Sequence, residues 1–209
     1  RVRCCCRARR FPATMTIPIP VLPACFRQRR WGRRRPFTSA RALVKSPVVD
    51  SAAFSIVPAD ERHLEALMTV MHSAFDPNYG EAWSAAQLAS TLLLPGCWAR
   101  LAQAGTQSAG FSLCRMAGPE VELLLIAVAP DWRRRGMAAR LVQRAQEDAL
   151  ARGAGELFLE VREDNHSARR LYEAARFAEV GRRPDYYSCK DGSRRAAITM
   201  RFSLADLVD

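Results

Sequence analysis

Three consecutive arginines and a glycine follow a long apolar run in the middle of the chain. Residues 121–129 read VELLLIAVA, and apolar runs of this length are typical of buried strands. A strand that turns through a glycine into a helix leaves backbone N–H groups and the helix dipole pointing at one spot. Because Arg133, Arg134 and Arg135 add charge just before Gly136, the segment predicts a site for an anion such as a phosphate.

Two further segments carry groups that could move protons. In residues 156–161, alternation places Glu160 on the face opposite Leu159 and Val161. An acid between apolar residues costs free energy unless it is exposed, paired or useful. On periodicity alone, an exposed edge carboxylate or one paired with an arginine is the favoured interpretation. Tyr172 lies in an amphipathic helix pattern, and the purely structural interpretation is that it is an aromatic residue of the core.

Other reactive residue types do not form a pattern that predicts chemistry. The three histidines are not clustered and no CxxC motif is present, so no metal site is expected. Cys97, Cys114 and Cys189 are widely spaced, which favours small apolar core residues in a reduced, intracellular protein. An acyl-cysteine intermediate is therefore not expected.

Periodicity divides the chain after residue 50 into eleven elements. Strand patterns cover 54–57, 97–103, 109–116, 121–129, 156–161, 177–180 and 196–202, and helix patterns cover 60–74, 84–93, 136–152 and 167–175. Pro58 is expected to end the first strand, and Asp191 and Gly192 predict a turn before the last one. This order predicts an α/β fold with a mixed central sheet and helices on both faces.

The formal net charge of +11 is concentrated at the start of the chain. Residues 1–50 hold 13 Lys and Arg residues and one acidic residue, whereas residues 51–209 hold 19 basic and 20 acidic residues. The basic composition is therefore no sign that the body of the chain binds nucleic acid. No run of eighteen apolar residues is present, so no membrane span is expected.

Residues 1–50 form a leader that lacks hydrophobic periodicity and contains six prolines and several arginine runs. Three interpretations are open: upstream sequence translated from a start assigned too early, an organelle transit peptide, or a disordered nucleic-acid arm. The missing initial Met and the cysteine triplet at 4–6 favour the first. We expect no stable structure in 1–50 and one domain over 51–209.

The pattern Arg133-x-x-Gly136-x-Ala138 resembles the Q/R-x-x-G-x-G/A pyrophosphate loop of the GCN5-related N-acetyltransferases (the GNAT family). That family transfers an acetyl group from acetyl-CoA to an amine, and its element order matches residues 54–202. The resemblance implies the GNAT fold, with acetyl-CoA as co-substrate and without a metal. The residues that it assigns to the coenzyme are Ile126, Ala127, Val128, Arg133, Arg134, Arg135, Gly136, Met137, Ala138, Ala139 and Asn165.

The motif L-E-V-R-x-x-N at 159–165, followed by A-x-x-L-Y-E-x-x-x-F at 168–177, is similar to bacterial ribosomal-protein-alanine N-acetyltransferases. This similarity implies that Glu160 is the general base and Tyr172 the general acid for the coenzyme thiolate. A phenol with a pKa of ~10 keeps its proton at neutral pH and can serve as that acid. The backbone N–H of Val128 would polarise the thioester carbonyl.

The similarity extends to segments that flank the acceptor groove in that family. Trp83 and Ser84 match a W-S pair, and residues 182–187 with Asp191 and Gly192 match an R-R-x-Y-Y…D-G segment. The implied acceptor is the N-terminal α-amine of a protein, such as a ribosomal protein beginning with alanine. Residues 76–83 are longer than the F-x-x-P-W-S segment of the family, so the peptide specificity stays open.

Two other functions remain as alternatives. One is acetylation of a small-molecule amine, and the other is a non-catalytic module that binds acyl-CoA. The presence of both Glu160 and Tyr172 favours an enzyme. The implied protein is cytoplasmic and a monomer or weak dimer, and its folded domain contacts neither nucleic acid nor membrane.

Overall fold

The computed structural model describes residues 54–188 and 192–207 of the chain. The leader, Cys189 and Asp191 lie outside the described residues. The predictions of an unstructured leader and of a turn beginning at Asp191 therefore stay predictions.

Seven strands form one mixed sheet in the order β1-β2-β3-β4-β5-β7-β6. Their bounds are Ser55–Ala59 (β1), Cys97–Ala104 (β2), Gln107–Ala117 (β3), Glu120–Val128 (β4), Glu156–Arg162 (β5), Ala178–Ser188 (β6) and Arg194–Ser203 (β7). Strands β4 and β5 run parallel, and the other neighbouring pairs are antiparallel. The predicted mixed sheet is confirmed.

Four α-helices cover the sheet. Their bounds are Leu64–Ala74 (α1), Ala85–Leu92 (α2), Met137–Ala151 (α3) and His166–Ala174 (α4). Two of them begin with a side-chain cap: Ser84 accepts a hydrogen bond from the backbone N–H of Gln87 before α2, and Asn165 accepts one from that of Ala168 before α4. These caps fix where each helix starts.

The helices lie on both faces of the sheet, as predicted. Helices α1 and α2 pack against β2, β3 and β4 through a buried cluster that includes Leu67, Leu88 and Phe111. Helices α3 and α4 pack on the opposite face around Val142 and Tyr172. The resemblance places Ser84, the cap of α2, beside the acceptor groove, so we call the first face, covered by α1 and α2, the acceptor face. We call the second the α3 face.

The apolar stripe of α3 is buried. Its members are Met137, Leu141, Val142, Ala145 and Ala149. Helix α3 lies close to the sheet because β3 has a glycine beneath it. A Cβ atom on Gly110 would lie 2.9 Å from the carbonyl oxygen of Ala127 and 2.9 Å from the sulfur of Met137. None of the helices in the described ranges has the length and apolarity that crossing a membrane requires.

Two edge strands, β1 and β6, continue past a proline or a break at which their patterns predict an end. The prediction that Pro58 ends β1 is wrong, since β1 continues to Ala59. Strand β1 has one partner, β2, so a proline can face the open edge without losing a sheet hydrogen bond. Strand β6, predicted to cover 177–180, extends to Ser188. An irregular register between Arg183 and Tyr187 accommodates its internal proline.

Candidate active site

The central feature of the site is the separation of the two parallel strands. Residues 120–123 of β4 pair with residues 156–159 of β5. Beyond that register, β4 continues along β3 to Val128 and β5 continues along β7 to Arg162. A register shift against β3 makes Leu124 an extra residue where the strands diverge. The two strands therefore leave an opening within the sheet, between residues 124–128 and 160–162.

The N-terminus of α3 is built differently from those of α2 and α4. Its N-cap is Gly136, with a φ of 77°, and no side chain caps the helix. The first N–H groups of a helix have no partner within the helix, and here these are the amides of Met137, Ala138 and Ala139. The predicted order of strand, glycine and helix is confirmed, and this end of α3 can accept an anion.

The three arginines before Gly136 have different surroundings. The guanidinium of Arg133 donates to the carbonyl oxygens of Val128 and Ala74, at 3.2 and 2.9 Å. It therefore ties the loop to the end of β4 and to the end of α1. Arg134 adopts a left-handed backbone conformation with a φ of 61°. The guanidinium carbon of Arg135 lies 4.8 Å from the ring centroid of Trp132.

The end of β4 provides backbone rather than side chains to the opening. The side chains of Ile126 and Val128 belong to the cluster under α3, whereas that of Ala127 belongs to the acceptor-face cluster. All three side chains thus have ordinary packing roles. Their backbone lies on the edge of β4 that faces the opening.

Glu160 lies on the acceptor face of β5. Leu159 and Val161 belong to the cluster beneath α3 and α4, so alternation puts Glu160 and Arg162 on the other face. The Glu160 side chain is 14% exposed, and its Oε1 accepts a hydrogen bond from Arg183 Nη1 at 3.0 Å. Pairing with an arginine, one of the two interpretations that periodicity favoured, is therefore observed.

Tyr172 lies on the other face of the sheet. It is buried on α4 and packs against Phe177, with ring centroids 5.9 Å apart. Burial, with a smaller contribution from the nearby Glu81, raises the pKa of the Tyr172 hydroxyl above its ordinary value. The phenol therefore keeps its proton throughout the neutral range.

Two functional candidates were missed by the sequence analysis: Glu81, in the loop between α1 and α2, and Arg162. Glu81 Oε2 accepts a hydrogen bond from Arg162 Nη1 at 2.9 Å. Burial raises the pKa of Glu81, although Arg162 opposes the shift. Burial also raises the pKa of Tyr187, and Glu81 and Glu160 both add to that shift. No local pattern links residues 81 positions apart, so only the folded chain reveals this cluster.

Asn165 caps α4. Its Oδ1 accepts hydrogen bonds from the backbone N–H of Ala168 at 3.2 Å and from the hydroxyl of Ser167 at 3.1 Å. A contact between Asn165 and the coenzyme stays a prediction.

The described cysteines match the expectation of buried core residues only in part. Cys114 is buried, and burial raises the pKa of its thiol, so it is not a ready nucleophile. Cys97 is half-buried. Across residues 54–188 and 192–207, no group of three or more His, Cys, Asp or Glu side chains could hold a metal ion.

A family model described as the acetyltransferase (GNAT) family matches residues 64–177. The [ribosomal protein bS18]-alanine N-acetyltransferase of Haemophilus ducreyi is 35% identical over 94 residues, which cover 45% of this chain and 65% of that protein. The enzyme of the same name from Escherichia coli K12 is 36% identical over 99 residues, covering 47% and 66%. The chain thus matches just under two thirds of the length of these relatives.

Solved structures share the fold. The crystal structure of the ribosomal-protein-S18-alanine N-acetyltransferase from Escherichia coli has a TM-score of 0.65 and 29% identity, covering 72% of this chain and 94% of that one. The Salmonella typhimurium protein yncA, solved with its cofactor acetyl-CoA, has a TM-score of 0.60 and 17% identity, covering 73% and 94%. The second likeness concerns the fold alone.

Proposed function

Because this chain belongs to the acetyltransferase (GNAT) family, we propose that it is an acetyl-CoA-dependent N-acetyltransferase that acts on protein N-termini. The observation that carries the proposal is the divergence of β4 and β5. It gives access through the sheet between an anion-accepting helix end on one face and Glu160 on the other.

The α3 face is the coenzyme side of this proposal. The backbone amides at the start of α3, with the arginine side chains that precede Gly136 and the loop that Arg133 anchors, hold the pyrophosphate, since the first turn of α3 is uncapped and favours negative charge. The backbone of Ile126, Ala127 and Val128 pairs with the pantetheine arm along the open edge of β4. Asn165 contributes its side-chain amide from the start of α4.

The acceptor face is the side from which the amine arrives. Glu160, directly or through a water, takes a proton from the incoming ammonium group, and the neutral amine attacks the thioester carbonyl. The backbone N–H of Val128 stabilises the oxyanion that forms. Tyr172 donates its proton to the departing thiolate. Arg183, bonded to Glu160, holds the carboxylate in place and offsets part of its charge.

The proposed acceptor is an N-terminal α-amine, with alanine as the first residue. Support comes from the two relatives, whose names specify a ribosomal-protein alanine. An α-amine titrates near ~7.7–8.0 and a lysine near ~10.4, so a carboxylate base deprotonates the former more readily. A ribosomal-protein acceptor implies that the chain works in the cytoplasm.

A peptide panel with a position-specific readout tests this function. The protein is incubated with acetyl-CoA and an Ala-initiated peptide that also contains a lysine, and the acetyl group is located by fragment mass spectrometry. We expect acetylation of the α-amine and none of the same peptide with a blocked N-terminus. Acetylation of the lysine, or of small amines in preference to peptides, would contradict the N-terminal acceptor. Coenzyme binding without turnover of any amine would instead support the non-catalytic module.

A further inference from the structure

The segment between α1 and α2 reaches across the opening in the sheet. Helices α1 and α2 pack on β2, β3 and β4, which lie on one side of the divergence. Arg162 ends β5, which lies on the other side and pairs with β7. The ion pair between Glu81 and Arg162, with 2.9 Å between Oε2 and Nη1, therefore connects the two halves of the sheet beyond their shared register.

Arg162 makes several contacts at once, and its side chain is only 8% exposed. Its Nη1 donates to Glu81, its Nε donates to Asp164, and its guanidinium carbon lies 3.4 Å from the ring centroid of Tyr79. Asp164 also accepts from Arg195 Nε, at 3.3 Å. A planar guanidinium can pair with two carboxylates while it stacks on a ring, which a lysine ammonium cannot do.

These contacts lie on the same face as Glu160. Arg162 follows Glu160 by two residues in β5, so the two side chains point to the acceptor face. Glu81 pairs with Arg162 at 2.9 Å, which brings the end of the segment next to Glu160. Residues 76–83 therefore lie beside the proposed base and away from the face on which α3 offers its N-terminus.

We propose that Arg162 is a positioning residue for the acceptor: it fixes residues 76–83, through Tyr79 and Glu81, as one wall of the acceptor site. The inference rests on the proposed function. A segment without regular structure loses conformational entropy when a substrate has to order it. Because Arg162 holds residues 76–83 in place before the acceptor arrives, the conformational entropy is lost when the chain folds. The acceptor then binds to a wall that is already formed.

A comparable ion pair elsewhere in the chain provides a matched control. Arg100 of β2 pairs with Asp148 of α3 at 2.6 Å, and both side chains are about as buried as the Glu81–Arg162 pair. It joins the sheet to α3 and does not touch residues 76–83. Loss of either arginine removes a partner from a carboxylate that is largely buried, so both losses lower stability.

The test measures the KM values for the Ala-initiated peptide and for acetyl-CoA separately. In R162Q and in E81Q, the peptide KM is expected to rise by roughly tenfold or more, since the acceptor then has to order the segment. The acetyl-CoA KM should stay within about twofold, and R162K should lie between R162Q and the wild type. The double variant should be no worse than the more impaired single variant, because both remove the same interaction. R100Q should lower the melting temperature without changing either KM.

Two results would overturn the proposal. One is a peptide KM that is unchanged in R162Q, measured on protein whose melting transition shows that it is folded. The other is an equal rise of the peptide KM in R100Q. A readout that needs no acceptor separates this proposal from the proposed function. Hydrogen exchange of residues 76–83 should become faster in R162Q and stay unchanged in R100Q. If the wild type acetylates no peptide, the proposed function fails, and unchanged exchange in R162Q would still refute the positioning role.

Discussion

Glu160 and Tyr172 lie on opposite faces of the sheet. Glu160 lies on the acceptor face of β5, whereas Tyr172 belongs to the cluster between α3 and α4. Under the proposed function, the proton leaves the amine on one side and reaches the thiolate from the other. No single side chain has to carry out both transfers, so the two roles can be tested by separate substitutions.

Glu160→Gln keeps the shape of the side chain and removes the base, and Tyr172→Phe keeps the ring and removes the acid. Each change should lower turnover by roughly 10²–10⁴, the usual contribution of one positioned proton-transfer group. Acetyl-CoA affinity, measured by calorimetry, should change little. Full activity in both variants would show that water handles the protons and that the two residues are structural.

The environment of Tyr172 also predicts the pH profile. Burial raises the pKa of its hydroxyl, so the protonated form persists to a higher pH than for a free phenol, which titrates near ~10. Turnover at saturating substrates should therefore not fall between neutral pH and about pH 10 through loss of this proton. A descending limb in that range that is absent from Tyr172→Phe would contradict the raised pKa of this hydroxyl.

Gly136 is the residue on which the coenzyme prediction depends most. Gly136→Glu should abolish acetyl-CoA binding, because a carboxylate would occupy the space of the phosphates and repel them. Gly153→Glu is the matched control, since Gly153 has the same φ of 77° and lies just after the other end of α3. An unchanged calorimetric affinity in Gly136→Glu, or an equal loss in Gly153→Glu, would contradict the site.

At the residue scale, the position of a functional residue could be predicted from the sequence where a motif lies between elements of the expected type. The glycine before α3 was predictable because a strand pattern ends and a helix pattern begins around it. The face of Glu160 was predictable from alternation. The engagement of Arg133 by Val128 and Ala74 was not, because the carbonyl of Ala74 is 59 positions away in the chain.

At the element scale, the approach of α3 to the sheet depends on Gly110. Gly110→Ala would place a methyl group against a carbonyl oxygen and the Met137 sulfur, each 2.9 Å away. We expect a loss of about 1–3 kcal/mol in the free energy of unfolding, as for other overpacked sites. The displaced N-terminus of α3 should also bind acetyl-CoA more weakly.

The control for this change is Gly155→Ala, where an added Cβ meets nothing within 4 Å. Its free energy of unfolding should stay within about 0.5 kcal/mol of the wild type. Denaturant unfolding measures both variants. If Gly110→Ala were as stable as Gly155→Ala, the close contact between α3 and β3 would not be a constraint.

Element boundaries were harder to predict than element types. All seven strands and all four helices were expected, yet β6 was predicted to end eight residues early, at 180 rather than Ser188. Pro184 and the left-handed Asp185, with a φ of 54°, break the strand pattern locally. Pairing with β7 resumes at Tyr187, so the tertiary ladder overrides the local signal.

At the scale of the whole molecule, the net positive charge lies in the leader, residues 1–50, whereas residues 51–209 are nearly neutral. Removing residues 1–47 should leave turnover and melting temperature unchanged, because the elements and the site are predicted to lie after residue 50. Any salt-dependent binding of nucleic acid by the full chain should disappear with these residues, since 13 of the 32 basic residues lie in 1–50. A clear drop in turnover or stability would show that the leader is part of the working protein.

The long-range connections of the molecule could not be predicted from the sequence. The loop at 76–81 has an ordinary turn composition, and nothing in it indicates that Glu81 meets Arg162 across the sheet. Such contacts exist only after the strand order is set, and that order places β7 between β5 and β6. The mixed class of the sheet could be predicted from the order of the elements, whereas the side-chain contacts between the two halves of the sheet could not.

The divergence of β4 and β5 has a consequence for the abundance of the protein. A ligand that fills the opening between these strands binds the folded chain alone and stabilises it by mass action, by about 2.7 kcal/mol when its concentration is 100 times its Kd. Under the proposed function that ligand is acetyl-CoA, so starved cells with little acetyl-CoA would hold a less stable pool of this protein. Its half-life in the cell would then depend on the concentration of acetyl-CoA, independently of its own rate of acetylation.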